Sequence, residues 1–184
     1  MKLTRRSLAA AGLALAAVAG PQAAFADDRS ELNAKGVKTL QELERQNANA
    51  RLLAAHAAGI LVFPSVVKAG FIIGAESGNG VLFEHGRPTS YYNIGGGSLG
   101  LQAGGQDFAY VLFFMRPSGV QKLKASQGWS LGTEPGLVVV NQGAQTTADV
   151  QSMARDIYAF PFNGKGLMAS LSLEGTKISR IHPS

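Results

Sequence analysis

The chain has 184 residues, no cysteine, and 17 Lys and Arg against 12 Asp and Glu, a formal charge of +5. Without cysteine there can be no disulfide, no cysteine-ligated zinc, no cysteine nucleophile and no lipid carried on an N-terminal Cys. The basic surplus is small and falls further once the leader is set aside, which excludes the dense patch of a nucleic-acid binder.

Residues 1–26 read as an export signal. Lys2, Arg5 and Arg6 form the charged start, Leu8 to Ala19 an uncharged apolar run, and Ala24-Phe25-Ala26 a small-x-small cleavage site. The run is shorter than the roughly 20 residues needed to span a bilayer. Thr4-Arg5-Arg6-Ser7-Leu8 also resembles a twin-arginine signal, so the export route stays open. Cleavage after Ala26 leaves 158 residues of formal charge +2, the length of one domain, 27–184. The expected location is periplasm or cell envelope, dissolved or held at the membrane surface.

Residues 29–57 read as helical. Leu32, Val37, Leu40 and Leu43 recur at helical spacing and line one side, with charges on the others. Asn47-Ala48-Asn49 predicts a break, Ala50–Ala58 a second helix, and Gly59 its end. Strands are expected next. Ile60–Phe63 is stopped by Pro64, Ala69–Ala75 follows, a turn falls at Ser77–Gly80, and Val81–Phe83 restarts the chain as a hairpin. Tyr91–Gly104 alternates small and large residues, and Asp107–Met115 is the strongest strand. Pro117–Ala125 predicts a short helix, Leu137–Val140 and Leu167–Leu173 two more strands, and polar Gln142–Met153 a loop.

Gly70, Gly74, Gly95, Gly96, Gly97, Gly100, Gly104 and Gly105 fall inside strand patterns. Glycine weakens a strand unless the backbone bends or another backbone comes close. The fold class is therefore α+β, with N-terminal helices packed on a strongly curved, mostly antiparallel, barrel-like Gly-rich sheet. Room for a ligand is the other use of such glycines.

Motifs for catalysis are weak. Gly96-Gly97-Ser98-Leu99-Gly100 has the G-x-S-x-G form, which exposes a serine only on a sharp strand-to-helix turn. Gly128-Trp129-Ser130-Leu131-Gly132 repeats it, as a glycine-rich chain does by chance. Gly95, Gly97 and Gly100 fit G-x-G-x-x-G without the βαβ unit a dinucleotide needs. His56, His85 and His182 are scattered. No catalytic residue, metal site or cofactor is expected.

The order of residues from Gly59 onward is distinctive. It runs Gly59-Ile60-Leu61-Val62-Phe63-Pro64-Ser65-Val66-Val67-Lys68-Ala69-Gly70-Phe71, then Gly95-Gly96-Gly97-Ser98-Leu99-Gly100, then Val111–Met115, Asp156–Phe160, Gly164–Leu167 and Ser170–Gly175. Together these resemble the SYLF family, a lipid-binding domain found in yeast actin-patch proteins and in many exported bacterial proteins. The resemblance implies a non-enzymatic protein that binds membrane lipid, either anionic phospholipid or phosphoinositide-like head groups, with a basic N-terminal helix contributing. Phe160-Pro161-Phe162-Asn163 departs from the family's polar turn. The other reading of the chain is a non-catalytic envelope scaffold or protein-interaction module.

Candidate lipid contacts follow. Lys68 and Phe71 are two of them: Lys68 stands among apolar strands just before Phe71, where it meets a phosphate head group or merely snorkels at a strand start. Lys35, Lys38, Arg45 and Arg51 supply the cations of a membrane-surface helix, or else the solvated side of a packed one. Arg116 is a further basic candidate.

Overall fold

The computed structural model describes residues 29–70, 73–99, 106–141, 147–163, 166–168, 173 and 175–183. The leader 1–26 and the candidate Phe71 lie outside them.

Two helices open the structure, α1 (Arg29–Gln46) and α2 (Ala48–His56). The break falls at Asn47, which leaves helical geometry and accepts the Ala50 N–H on its side-chain oxygen at 3.0 Å. The strands are β1 (Gly59–Gly70), β2 (Ile73–Glu84), β3 (Arg87–Leu99), β4 (Gln106–Phe114), β5 (Trp129–Ser130), β6 (Leu137–Val139), β7 (Ile157–Asn163), β8 (Gly166–Leu167) and β9 (Thr176–Ile181). Helix α3 (Pro117–Ala125) follows β4, and α4 (Thr147–Ser152) precedes β7. The strands form one sheet in the order β5-β9-β3-β2-β1-β4-β7-β6, with β8 beside β7. Every pairing is antiparallel except β6 with β7. The sheet curls into a half-barrel, and the class is α+β.

The curl gives the protein two cores. Ile178 on β9 and Ile157 on β7, from opposite reaches of the sheet, share one cluster with Leu61, Phe63, Tyr110 and Phe114. That cluster fills the inside of the curl. On the outer face Val62, Val81, Phe113 and Phe160 pack against Leu32 and Leu43 of α1 and Leu53 of α2. Gly36 is what lets α1 lie so close: a β-carbon there would stand 2.6 Å from Val81 Cγ1. Val37 does not line the buried side. It is 43% exposed, and Gly36 takes the position expected of it.

Several local expectations give way to tertiary pairing. Pro64 does not end a strand, because it sits where β1 shifts register against both neighbours and no regular ladder bond needs its missing N–H. Ser77–Gly80 is not a turn but the middle of β2, held to β3 by the Asn93 amide, which donates to the Gly78 carbonyl at 3.0 Å. The hairpin turn lies instead at His85-Gly86, both with positive φ. Part of the expected loop 142–153 is α4. Of the strand expected at 167–173, among the described residues only Leu167 lies in one, the short β8, and β5, β7 and β9 add strands beyond those expected.

Helix α3 is tied down by two ion pairs. Lys124 pairs with Glu84, and Lys122 with Glu134 at 2.8 Å; Trp129 Nε1 also donates to Glu134. Burial raises both carboxyls, but the hydrogen bonds outweigh it, from Lys124 and Thr89 to Glu84 and from Lys122 and Trp129 to Glu134. Both therefore lie below the ordinary carboxylate value. A depressed folded-state value stabilises above the unfolded pKa, about 4.3 for Glu, and that stabilisation is lost as pH falls through the folded one. The thermal midpoint is expected to drop below about pH 4, with a smaller drop for the Glu84→Gln/Glu134→Gln variant. An unchanged acid slope in that variant would clear these carboxylates of the effect.

Candidate functional site

The site is built by the register shift in β1. Leu61 and Phe63 face the inside of the curl, and strict alternation would send Ser65 and Val67 there too. The irregularity at Pro64-Ser65 adds a residue, so Val66 joins the inner cluster instead. Val67 then points outward, 52% exposed, and Lys68 points inward. One inserted residue thus decides which side of the sheet carries the lysine.

Lys68 stands directly across from Glu76 on β2, and Glu76 directly across from Gly96 on β3. Gly96 in turn faces Thr176 on β9. With no side chain on Gly96, the two neighbours meet over it: Thr176 Oγ1 donates to Glu76 Oε1 at 2.6 Å. A β-carbon at Gly96 would lie 2.7 Å from the Gly175 carbonyl oxygen. The glycine therefore serves close approach here and is not an opening for a ligand.

Glu76 is 4% exposed, and its Oε2 is buried with no hydrogen-bond partner. Tyr110, wholly buried on β4, also has an unpartnered hydroxyl. Burial first, and then the charge of Glu76, hold that phenol far above its ordinary range, so it keeps its proton at neutral pH. Phe108 packs edge-on against Tyr110, ring centroids 5.1 Å apart. This end of the curl thus has an inward lysine, a buried carboxylate and an aromatic wall. Lys68 is half-buried, and among the described residues no carboxylate pairs with it.

The other basic candidates do not gather there. Lys35 pairs with Glu31 one turn earlier at 2.8 Å. At about 100° per residue, Lys38 and Arg45 fall on the side of α1 opposite Leu32 and Leu43, exposed to solvent. Arg51 donates to the Glu44 carbonyl at 2.8 Å and braces the α1–α2 corner. Arg116 pairs with Asp156 beside the other end of β4. Ser98, the residue of the hydrolase-like motif, pairs with Gly74 inside β3, where no helix begins. Val67, Glu76, Tyr110 and Thr176 are candidates that sequence reasoning passed over. A lone Glu within an apolar, glycine-rich strand was the available signal.

A cleft of about 180 Å³ lies on the other side of β1, lined by Thr39, Glu42, Pro64, Asp107, Phe162 and Asn163 among others. Ser65 Oγ donates to Asp107 there at 2.8 Å. Its charged lining is acidic, the wrong sign for an anionic head group.

The fold is a curled α+β half-barrel, and one end of its inside carries Lys68, Glu76 and Thr176. Residues 95–182 match the family described as Ysc84, Las17-binding protein actin regulator, which is the SYLF family that the ordered motifs resemble. That description is of a binding and regulatory family, not of a catalyst. No curated protein matches the chain. The matched stretch takes in Gly96, Tyr110, Arg116 and Thr176, while Lys68 and Glu76 precede it.

Proposed function

We propose that the chain is exported to the bacterial envelope and there binds membrane phospholipid, with Lys68 meeting the phosphate of an anionic head group. The observation that carries this reading is at one end of β1: Val67, more than half exposed on the outer face, and Lys68, a half-buried cation on the inner face without a carboxylate partner among the described residues. Such a pair suits a lipid surface, where the apolar group enters the acyl boundary and the ammonium stays at the phosphates. Among the described residues no helix is long and apolar enough to cross a membrane, so the contact proposed is peripheral. The leader-like residues 1–26 support export. The helix cations contribute only a diffuse field, since α1 spends its apolar side on the sheet.

Co-sedimentation of residues 27–184 with phosphatidylglycerol vesicles tests this. Binding is expected at low salt and should weaken as salt shortens the Debye length toward about 8 Å. A basic residue near an anionic surface contributes about 1 kcal/mol. Lys68→Glu removes one positive charge and adds a negative one, so a loss of roughly tenfold or more is expected. Lys68→Gln should lie between, without placing two carboxylates across one ladder step. Protein left in the supernatant with every vesicle at low salt would refute lipid binding. It would favour a protein-interaction module, a reading that the family's own description also supports.

A further inference from the structure

We infer that the bare outer face at the Lys68 end of the sheet pairs with the same face of a second copy of this chain, across a twofold axis through Ser77. This inference stands apart from lipid binding, and either can fail alone.

The face begins where α1 stops covering the sheet. Val62 and Val81 lie under the helices, but further along the same strands the outward residues are open. One ladder row crosses five strands there. It runs Asp107 on β4, Val67 on β1, Ser77 on β2, Gly95 on β3 and Lys177 on β9, each directly opposite the next. All five face outward, since Phe108, Val66, Ile94 and Ile178 beside them belong to the inner core. Asp107, Val67, Ser77 and Lys177 are exposed, and Gly95 is half-buried. Among the described residues a β-carbon at Gly95 would meet only Asn93 Oδ1 at 3.3 Å and the Glu76 carbonyl oxygen at 3.7 Å, so no other element lies over it. The Asn93 amide donates to Ser77 Oγ at 3.3 Å and holds the middle of the row in place.

The order of this row is self-complementary. A twofold axis through Ser77 reverses it, so that Asp107 stands over Lys177, Val67 over Gly95 and Ser77 over its own copy. Opposite charges meet at both ends, and an exposed valine meets a glycine without a side chain. A twofold interface requires this kind of match, one patch serving as both partners. The two charges are available for it. Among the described residues Lys177 pairs with no carboxylate, and Asp107 accepts only from the Ser65 hydroxyl, at 2.8 Å. The outer face is convex, and the row suits that shape. Small residues lie near its crown, and the long lysine lies at the flank, where two convex surfaces part. At about 4.8 Å per strand the row spans about 19 Å. Such a patch is smaller than the roughly 800 Å² that each partner gives to a standard interface, so the dimer is a weak one. Vesicles that take up Val67 compete with this contact, which makes the dimer the form expected away from the membrane.

Sedimentation velocity of residues 27–184, without lipid and at low salt, tests the inference. The parent should show a reversible, concentration-dependent dimer. Lys177→Glu and Asp107→Lys each place like charges together at both ends of the row, and each should weaken the dimer roughly tenfold or more. Mixed in equal amounts, the two variants regain opposite charges at both ends, so a dimer of one with the other should return. Its return also shows that both variants are folded. A parent that stays monomeric up to millimolar concentration overturns the inference. So do variants that dimerise as the parent does, or a mixture that associates no better than its components. Vesicle binding by a monomeric parent would leave the lipid reading standing, and a dimer that ignores every vesicle would leave this face standing without it.

Discussion

Gly80→Val is expected to destabilise the sheet strongly. A β-carbon at Gly80 would overlap the Phe63 ring and come within 2.7 Å of the Val62 carbonyl oxygen. Phe63 is wholly buried in the inner core and cannot swing into solvent. Overpacking a close-packed core costs about 1–3 kcal/mol, and here backbone and ring are struck together, which puts the value at the upper end. Replacing glycine in a strand returns about 0.5–1 kcal/mol of chain entropy, too little to offset it. Denaturant titration should show a midpoint well below that of the parent. Gly128→Ala is the control, since a β-carbon there meets only Ser179 Oγ at 3.8 Å, an ordinary contact. Equal stability of the Gly80 and Gly128 variants would mean that the sheet does not curl as tightly as described.

Phe113→Ala tests the other core. Phe113 is fully buried on the outer face and meets Phe160 edge-on, with centroids 5.4 Å apart. Truncating such a ring costs about 3–5 kcal/mol in transfer and cavity terms. Against a total stability of about 5–15 kcal/mol this is a large part of what holds the helices on the sheet. The thermal midpoint should fall by roughly 10 °C or more. A fall of only a degree or two would show that α1 and α2 contribute little to the folded body.

Much of the architecture was readable because local chemistry and tertiary packing agree. Pro117 opens α3 at the position where a missing N–H is harmless, Lys122 and Lys124 sit in its last turn, and the helix falls on its expected residues. Asn47 broke the N-terminal helix because its side chain competes for backbone donors. The run Tyr110–Phe114 was a strand by β-propensity alone. The misses share a cause: proline and glycine punctuate the chain locally, but their meaning here is set by neighbours far away in sequence. Pro161 lies inside β7, yet its carbonyl accepts from Met168 and its nitrogen faces the same side, beyond the point where β6 stops pairing at Ala159. Gly78 and Gly80 looked like a turn and are places where β1 crowds β2. Strand β9 shows the period of two, with Thr176 and Ile178 buried and Lys177 exposed, but it is short and polar.

The site was half legible. Lys68 could be singled out from its apolar surroundings, but its inward direction depends on the irregularity at Pro64-Ser65, which alternation alone does not reveal. Glu76 gains its character from Gly96 and Thr176, partners 20 and 100 residues away. The helix cations were the obvious membrane candidates by composition. Packing turned them into a solvated face because Gly36 and the leucines claim the other side.

The absence of cysteine allows a direct reading of which end of the half-barrel meets lipid. A single cysteine in place of Val67, carrying an environment-sensitive dye, should shift its emission toward the blue when phosphatidylglycerol vesicles are added. The same dye at Arg87, at the opposite hairpin and about 25 Å along the strands, should not shift. A shift at Arg87 with none at Val67 would contradict the account.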